Sequence, residues 1–149
     1  MRNFLFFFDN VNFVQTQNFP LSRLWLFLPF GYVLTILIET PVLLFGLSPK
    51  LSFRQKLWCG VWLTACTYPI VVLVLPALMQ DFSRNVYLLV AETFAPVAEC
   101  FLFWLAFRGK DLLETKDWLR CFAAIVMANL ASFGIGEIFN YYEWFGLFN

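Results

Sequence analysis

Four long apolar runs alternate with short polar segments along the chain. The runs cover residues 24–47, 57–79, 86–107 and 118–139. Each run is close to the roughly 20 apolar residues that an α-helix needs to cross a bilayer. The polar segments between them (48–56, 80–85 and 108–117) are short, so consecutive helices are expected to be antiparallel neighbours. The pattern predicts an all-α polytopic membrane protein, folded as a single domain with an antiparallel four-helix bundle.

The segments outside the four runs are predicted to lie at the membrane surface. An apolar stretch at residues 5–8 follows Arg2 but ends at Asp9, which makes it too short for the core of a signal peptide. Residues 1–23 are therefore predicted to form an interfacial segment. Residues 140–149 contain Tyr141, Tyr142 and Trp144, and are expected to form an aromatic tail that anchors at the interface.

Basic residues are distributed unevenly between the two ends of the predicted bundle. Loops 48–56 and 108–117, with the first residues of the fourth helix, contain seven Lys and Arg, whereas the opposite side contains three. Cytoplasmic loops of membrane proteins carry an excess of Lys and Arg. The distribution predicts that these two loops are cytoplasmic and that both termini lie outside.

The composition narrows the possible functions. Hydrophobic residues make up 61% of the chain and charged residues 13%, against about 45–50% and about 25% in soluble domains. The zero net charge gives no indication of a nucleic-acid partner, and the expected partner is the lipid bilayer. The absence of histidine excludes histidine-based catalytic triads and the commonest haem and metal ligand, so no cofactor is expected. The four cysteines form no C-x-x-C pair and are interpreted as small buried hydrophobic residues.

Four acidic residues lie inside the predicted spans: Glu39, Glu92, Glu99 and Glu137. With a rise of about 1.5 Å per residue, Glu39 and Glu99 fall about 4–5 Å to the cytoplasmic side of their helix midpoints. Thr67 and Tyr68 in the second span and Asn129 in the fourth lie close to the midplane. Each helix is therefore predicted to contribute a polar group to one central layer.

The spacing of these residues supports a shared interior face. Glu92, Pro96 and Glu99 occur at i, i+4 and i+7, which places them on one stripe of the third helix. Gly60, Thr64 and Thr67 form a similar line on the second helix. The fourth helix has small residues at strict intervals of four, a pattern typical of close helix packing: Ala124, Ala128, Ser132 and Gly136. Asn129 flanks this track, so its amide is expected to hydrogen-bond to a carboxyl group.

The acids of the central layer have no basic partner in the predicted membrane core, which contains no Lys, Arg or His. A carboxylate buried without a partner takes up a proton, binds a cation, reaches water, or pairs with a base from another subunit. Prolines next to the layer would free backbone carbonyls that, with carboxylates and threonine hydroxyls, suit a hard cation. The candidate proton or cation site comprises Glu39, Glu92, Glu99, Asn129, Thr67 and Tyr68, with no metal assigned and no catalytic residue predicted. The alternative is that the carboxyl groups are protonated and serve as hydrogen-bonded contacts between helices.

Short segments of all four spans carry a family resemblance. They are E-T-P at 39–41, T-Y-P at 67–69, A-E-T-F-A-P-V-A-E at 91–99 and N-L-A-S-F-G-I-G-E at 129–137. In this order they resemble small four-span bacterial membrane proteins of unassigned function. The resemblance implies a bacterial inner-membrane setting and no particular substrate.

Two functional hypotheses follow. In the first, the carboxylate layer handles protons or cations within a homo-oligomer or a larger membrane complex, because four helices enclose little interior volume. In the second, the protein is a non-catalytic accessory or assembly subunit whose acids serve helix packing or the docking of a partner. An enzyme is not favoured, since no phosphate-binding loop, serine elbow or metal motif is present.

Overall fold

The computed structural model describes residues 21–110 and 112–142, so most of the predicted interfacial segment and residues 143–149 of the aromatic tail lie outside the described residues. The described chain forms four long helices: α1 (Leu21–Gly46), α2 (Phe53–Pro69), α3 (Arg84–Phe107) and α4 (Thr115–Tyr141). Helix α2 continues through a π-helical segment, Ile70–Val74, into a last turn, Leu75–Leu78. The described residues form no strand.

All four helices are long and apolar enough to cross a membrane, which confirms the prediction of an all-α protein with four membrane spans. Helix α1 packs mainly against α2 and α4, and α3 packs against the same two helices. In cross-section the four helices therefore lie at the corners of a square, with α1 and α3 on one diagonal and α2 and α4 on the other.

Helix α2 begins at Phe53, four residues earlier than the apolar pattern predicts, because a capping box precedes it. The Ser52 hydroxyl accepts a hydrogen bond from the Gln55 backbone N–H (3.3 Å), and the Gln55 side chain accepts one from the Ser52 backbone N–H (2.8 Å). This exchange satisfies two of the N–H groups that a helix N-terminus leaves unpaired. Residues 53–56, three of which are polar, therefore belong to the helix although they precede the apolar run.

The carbonyl end of α1 is capped by two cations from neighbouring helices. Four consecutive backbone carbonyls there accept hydrogen bonds from them, namely those of Leu44, Phe45, Gly46 and Leu47. Lys56 Nζ donates to the first and last of these at 3.2 and 3.0 Å, and the Arg120 guanidinium donates to the middle two. A helix C-terminus leaves these carbonyls unpaired and favours positive charge. Both cations therefore fasten α1 to the beginnings of α2 and α4.

An ion-pair cluster fixes the same end of the bundle. Lys50 Nζ lies 2.7 Å from Glu114 Oε1 and 2.8 Å from Asp117 Oδ2, and Ser48 Oγ donates to Asp117 Oδ1 at 2.6 Å. Hydrogen bonds from Lys50 to Asp117, and then to Glu114, raise the pKa of Lys50 above its usual value of 10.5. The ammonium group therefore stays charged at neutral pH and ties the segment after α1 to the start of α4.

Buried apolar side chains are concentrated at one end of the bundle. We call the half that ends at residues 47–52 and 108–114 the core half, and the half that ends at residues 79–83 the opposite half. The core half contains the main cluster of buried apolar residues: Leu43, Leu47, Leu51, Cys59, Leu63, Phe103, Phe107, Cys121, Ala124, Ile125 and Ala128. In the opposite half the buried apolar side chains among the described residues are Met79, Ala91 and Pro96. Packing is therefore much tighter on one side of the bundle centre.

The π-helical segment leaves one carbonyl without a donor from its own helix. The Leu75 backbone N–H donates to Ile70 O, five residues earlier, and Pro76 has no N–H, so neither can pair with Val71 O. Tyr87 of α3 supplies the missing donor, with its hydroxyl 3.0 Å from Val71 O. This bond attaches α3 to the widened part of the second span.

Candidate functional site

The carboxyl group of Glu39, on α1, is buried at the centre of the bundle with 2% of the residue exposed. Its Oε2 accepts a hydrogen bond from Thr64 Oγ1 of α2 at 2.7 Å. Its Oε1 accepts one from Ser132 Oγ of α4, also at 2.7 Å. Glu39 therefore joins the two helices that flank α1.

Glu99 makes the equivalent bridge from the other side of the bundle, and 1% of the residue is exposed. Its Oε1 accepts a hydrogen bond from Thr67 Oγ1 of α2 at 2.7 Å. Its Oε2 accepts one from Asn129 Nδ2 of α4 at 2.8 Å. Both acids thus lie on one diagonal of the square, and their hydrogen-bond donors lie on the other.

These contacts link all four helices into one polar belt. Thr64 and Thr67 are one turn apart on α2, and Ser132 Oγ lies 2.9 Å from the backbone oxygen of Asn129 on α4. We call the six side chains the carboxyl belt: Glu39, Thr64, Thr67, Glu99, Asn129 and Ser132. Buried polar networks of this kind are stable only when each member has a partner, and here all four carboxylate oxygens have one.

Each hydroxyl of the belt has a second acceptor within reach. Thr64 Oγ1 lies 2.9 Å from Gly60 O, Thr67 Oγ1 lies 3.1 Å from Leu63 O, and Ser132 Oγ lies 2.9 Å from Asn129 O. A hydroxyl carries one hydrogen and can donate to one of these acceptors at a time, while its oxygen still accepts. When a hydroxyl turns to the backbone carbonyl, its oxygen becomes an acceptor for a protonated carboxyl group. The belt can therefore keep its hydrogen bonds with either ionised or protonated acids.

The amide of Asn129 does not have this freedom. Its two Nδ2 hydrogens are directed to Glu99 Oε2 at 2.8 Å and to Ile125 O at 3.0 Å, which are both acceptors. Glu99 Oε2 consequently faces a donor in either protonation state. When Glu99 is protonated, the proton is therefore expected on Oε1, which faces the rotatable hydroxyl of Thr67.

Within the described part of the chain, no cation contacts the belt acids. The ion pairs of Lys50 lie at the end of the bundle, away from the belt. Within residues 21–110 and 112–142, no group of three or more His, Cys, Asp or Glu residues is arranged to hold a metal ion. Among the described residues, the side chains that hydrogen-bond to a belt acid are neutral donors.

The structure places four of the six predicted site residues in the belt, namely Glu39, Glu99, Thr67 and Asn129. The amide of Asn129 hydrogen-bonds to a carboxyl group, as the spacing predicts. Tyr68 lies outside the belt, with its hydroxyl against Gly31 of α1, where an added Cβ would overlap it. Glu92 also lies outside, half-buried in the opposite half.

The residues predicted for helix packing divide into three groups. Ala124 and Ala128 are buried, and α1 approaches so closely that a Cβ added to Gly46 would lie 2.6 Å from Ala124 Cβ. Ser132 is a belt donor as well as a small residue, a role that the packing pattern does not reveal. Gly136 has no described atom within 4 Å of an added Cβ, so close packing of this face stops before it.

Comparison of the chain with protein-family models, curated proteins and solved structures found no significant match.

Proposed function

We propose that the protein is a small multi-pass component of the bacterial inner membrane whose carboxyl belt binds and releases protons. The count of basic residues supports an orientation with loops 48–56 and 108–117 in the cytoplasm and both termini outside. The proposal rests on the two hydrogen-bond acceptors that each belt hydroxyl can reach. Each lies within hydrogen-bond distance of a carboxylate oxygen and of a backbone carbonyl, so a proton can arrive or leave without a broken hydrogen bond.

The hydrogen-bond geometry favours a proton over a metal cation. A hard cation needs several oxygen atoms that turn their lone pairs toward it. All four carboxylate oxygens of the belt instead face donors at 2.7 or 2.8 Å. The donor of Glu99 Oε2 is an amide N–H₂ that cannot turn its hydrogens away without losing Ile125 O. The belt therefore accommodates a proton more readily than a cation.

The alternative is an accessory or assembly subunit whose acids are structural. Docking of a partner's arginine requires an accessible carboxylate, and burial of Glu39 and Glu99 argues against it. What remains of this alternative is a permanently protonated belt that holds the helices together. Under the proton-binding proposal, the protein works in a homo-oligomer or a larger complex, because one bundle encloses little volume.

The decisive test is pH-dependent infrared difference spectroscopy of the protein in lipid bilayers. The carbonyl stretch of a protonated carboxyl group is expected to appear as the pH falls and to disappear as it rises. Glu39→Gln and Glu99→Gln should each remove part of this signal. Both variants are expected to fold, because a glutamine amide mimics a protonated carboxyl and can donate to a belt hydroxyl that has turned to its backbone carbonyl.

The variants also define the outcomes that contradict the proposal. If the carboxyl signal is present at every pH at which the protein stays folded, the belt is a structural contact and the accessory interpretation is preferred. If Na⁺, K⁺, Mg²⁺ or Ca²⁺ at constant pH removes the signal, the belt is a cation site. Glu114→Gln, at an exposed position outside the belt, serves as the control and should leave the buried carboxyl signal unchanged.

A further inference from the structure

The carboxyl belt is sealed on the side of the core half. One helical turn from a belt residue in that direction, each helix has an apolar side chain that is at most 1% exposed: Leu43, Leu63, Phe103 and Ile125. Leu43 and Phe103 follow Glu39 and Glu99 by four residues, and Leu63 and Ile125 precede Thr67 and Asn129 by four. Close-packed apolar layers exclude water. Protons therefore have no path through the core half.

The other side of the belt is not sealed in this way. One turn from a belt residue in the opposite direction, none of the corresponding residues is buried: Thr35, Val71, Ala95, Phe133 and Gly136. Pro96, three residues before Glu99, is the buried position near this level on α3. All four helices continue for at least nine residues past the belt on this side, so the difference lies in how closely they approach.

Gly136 marks where this looser packing leaves space. It follows Asn129 by seven residues, which puts the two within about 20° on the helix and so on the interior face of α4. A Cβ added there meets no described atom within 4 Å. The interior face of α4 next to Ser132 therefore borders a space that other described side chains do not fill.

Acidic side chains lie along this half of the bundle. Glu92 precedes Glu99 by seven residues on the same face of α3 and is half-buried. Seven residues correspond to about 10 Å along the helix, so Glu92 lies between the belt and the end of the bundle, and Glu137 of α4 is at a similar distance beyond Asn129. Carboxyl groups in a membrane face water or protein interior and avoid lipid chains. A space bordered by these carboxyl groups therefore favours water over lipid chains.

We propose that the space beside Gly136 is a water-filled vestibule that admits protons to the carboxyl belt from one membrane face only, the face that carries residues 79–83. An entering proton passes the level of Glu92 before it reaches the belt acids. The role of the vestibule in proton entry rests on the proposed function, whereas its existence and its sidedness do not. Under the orientation predicted from the basic residues, this face is the outer one.

A pair of cysteine substitutions on α4 tests the vestibule directly. Gly136→Cys and Gly134→Cys both enter sites with no described atom within 4 Å of the new Cβ, so neither is expected to disturb packing. They differ in direction, because Gly134 is exposed on the outer surface of the bundle and Gly136 faces its interior. A charged, membrane-impermeant methanethiosulfonate reacts with a thiolate, which requires water around the thiol. Sealed vesicles of known orientation receive the reagent, and mass spectrometry locates the modified residue among the native cysteines.

The expected result is modification of Gly136→Cys at least about tenfold faster than Gly134→Cys, because a thiol surrounded by lipid ionises poorly. This reaction should occur with reagent on the face that carries residues 79–83 and be absent with reagent on the other face. Ala128→Cys, on the same helix face but within the core half, should remain unmodified from either side. The infrared signal of the belt carboxyls in Glu92→Gln provides a second measurement. After a pH jump on the face that carries residues 79–83, this signal should change more slowly than in the unsubstituted protein but reach the same value at equilibrium.

The outcomes separate the vestibule from the proposed function. If Gly136→Cys is no more reactive than Gly134→Cys, the vestibule does not exist, even if the belt carboxyls titrate with pH. If Gly136→Cys reacts equally from both faces, the apolar seal and one-sided entry are wrong. If it reacts from the expected face alone while no belt carboxyl titrates, the vestibule is established and its role in proton entry is overturned.

Discussion

Thr67 is the belt residue whose hydroxyl has the clearest function, since Glu99 Oε1 has no other donor among the described residues. Replacement by valine keeps the shape of the side chain and removes the hydroxyl. A buried acceptor left without its donor costs about 1–3 kcal/mol. Thr67→Val is therefore expected to lower the free energy of unfolding by about that amount, measured in one lipid or detergent environment, whereas Thr67→Ser should retain most of the stability.

Thr93 provides a matched control for this substitution. Its hydroxyl also donates to the backbone carbonyl four residues earlier, Leu89 O, at 2.7 Å, but the residue is exposed and contacts no belt acid. Thr93→Val should therefore change stability much less than Thr67→Val. Equal effects of the two substitutions would mean that the threonine bond to its own helix, rather than the bond to Glu99, determines the result.

Depth along the helix axis was enough to predict part of the belt from the sequence. Glu39, Glu99, Thr67 and Asn129 all fall near the bundle centre when residues are counted along the spans. Depth alone cannot distinguish Thr67 from Tyr68, because consecutive residues diverge by about 100° around the helix. It also misses Ser132, about 4.5 Å further along α4 than Asn129, which Glu39 reaches because its side chain is long. Helix phase and side-chain reach were the additional information required.

Helices α1 and α2 approach closely where Thr40 meets Gly60. A Cβ added to Gly60 would lie 2.5 Å from Thr40 Oγ1 and 3.1 Å from Thr40 Cα. Thr40 Oγ1 is buried without a hydrogen-bond partner among the described residues, which is consistent with a position dictated by packing. The glycine thus permits α1 and α2 to come together at the level of the belt.

Gly60→Ala is consequently expected to destabilise the protein although alanine favours helix formation. Forcing an extra carbon into a packed contact costs about 1–3 kcal/mol, and part of this contact is backbone that cannot rotate away. Gly134→Ala introduces the same group where no described atom lies within 4 Å, so it should leave stability unchanged or raise it by up to about 1 kcal/mol. Denaturant unfolding of the two variants measures the difference. Two equally stable variants would show that α1 and α2 are not held in contact at Gly60.

The sequence predicted the spans well and their interruptions poorly. Span number and approximate position follow from the length of each apolar run. The early start of α2 was recoverable from the Ser52 and Gln55 pair, which is a recognised helix-start pattern. The π-helical segment could not be predicted, because residues 70–74 are uniformly apolar and a shift in backbone hydrogen bonding does not change the hydropathy of the sequence. Pro69 and Pro76 indicate weakened hydrogen bonding there without specifying its form.

At the scale of the whole molecule, the two halves of the bundle differ in packing although both are built from the same four apolar helices. Cations at the end of α1, the Lys50 ion pairs and the main apolar cluster all stabilise the core half. Hydropathy along each span does not reveal this asymmetry. It arises from which helix faces meet, which is a property of tertiary contacts. Local opening is easier where fewer buried contacts must break.

Amide hydrogen exchange in lipid nanodiscs should therefore divide each helix at the belt. Residues 57–67 of the second span and 118–129 of α4 are expected to exchange slowly, and residues 70–78 and 130–141 faster. The bilayer excludes water from the outer surface of all these segments equally, so a difference within one helix reports on the bundle interior. Uniformly slow exchange along both helices would contradict loose packing in the opposite half. If the faster exchange appears in detergent and vanishes in nanodiscs, it arises at the detergent-exposed surface of the helices. If it persists in the bilayer, it requires water between the helices.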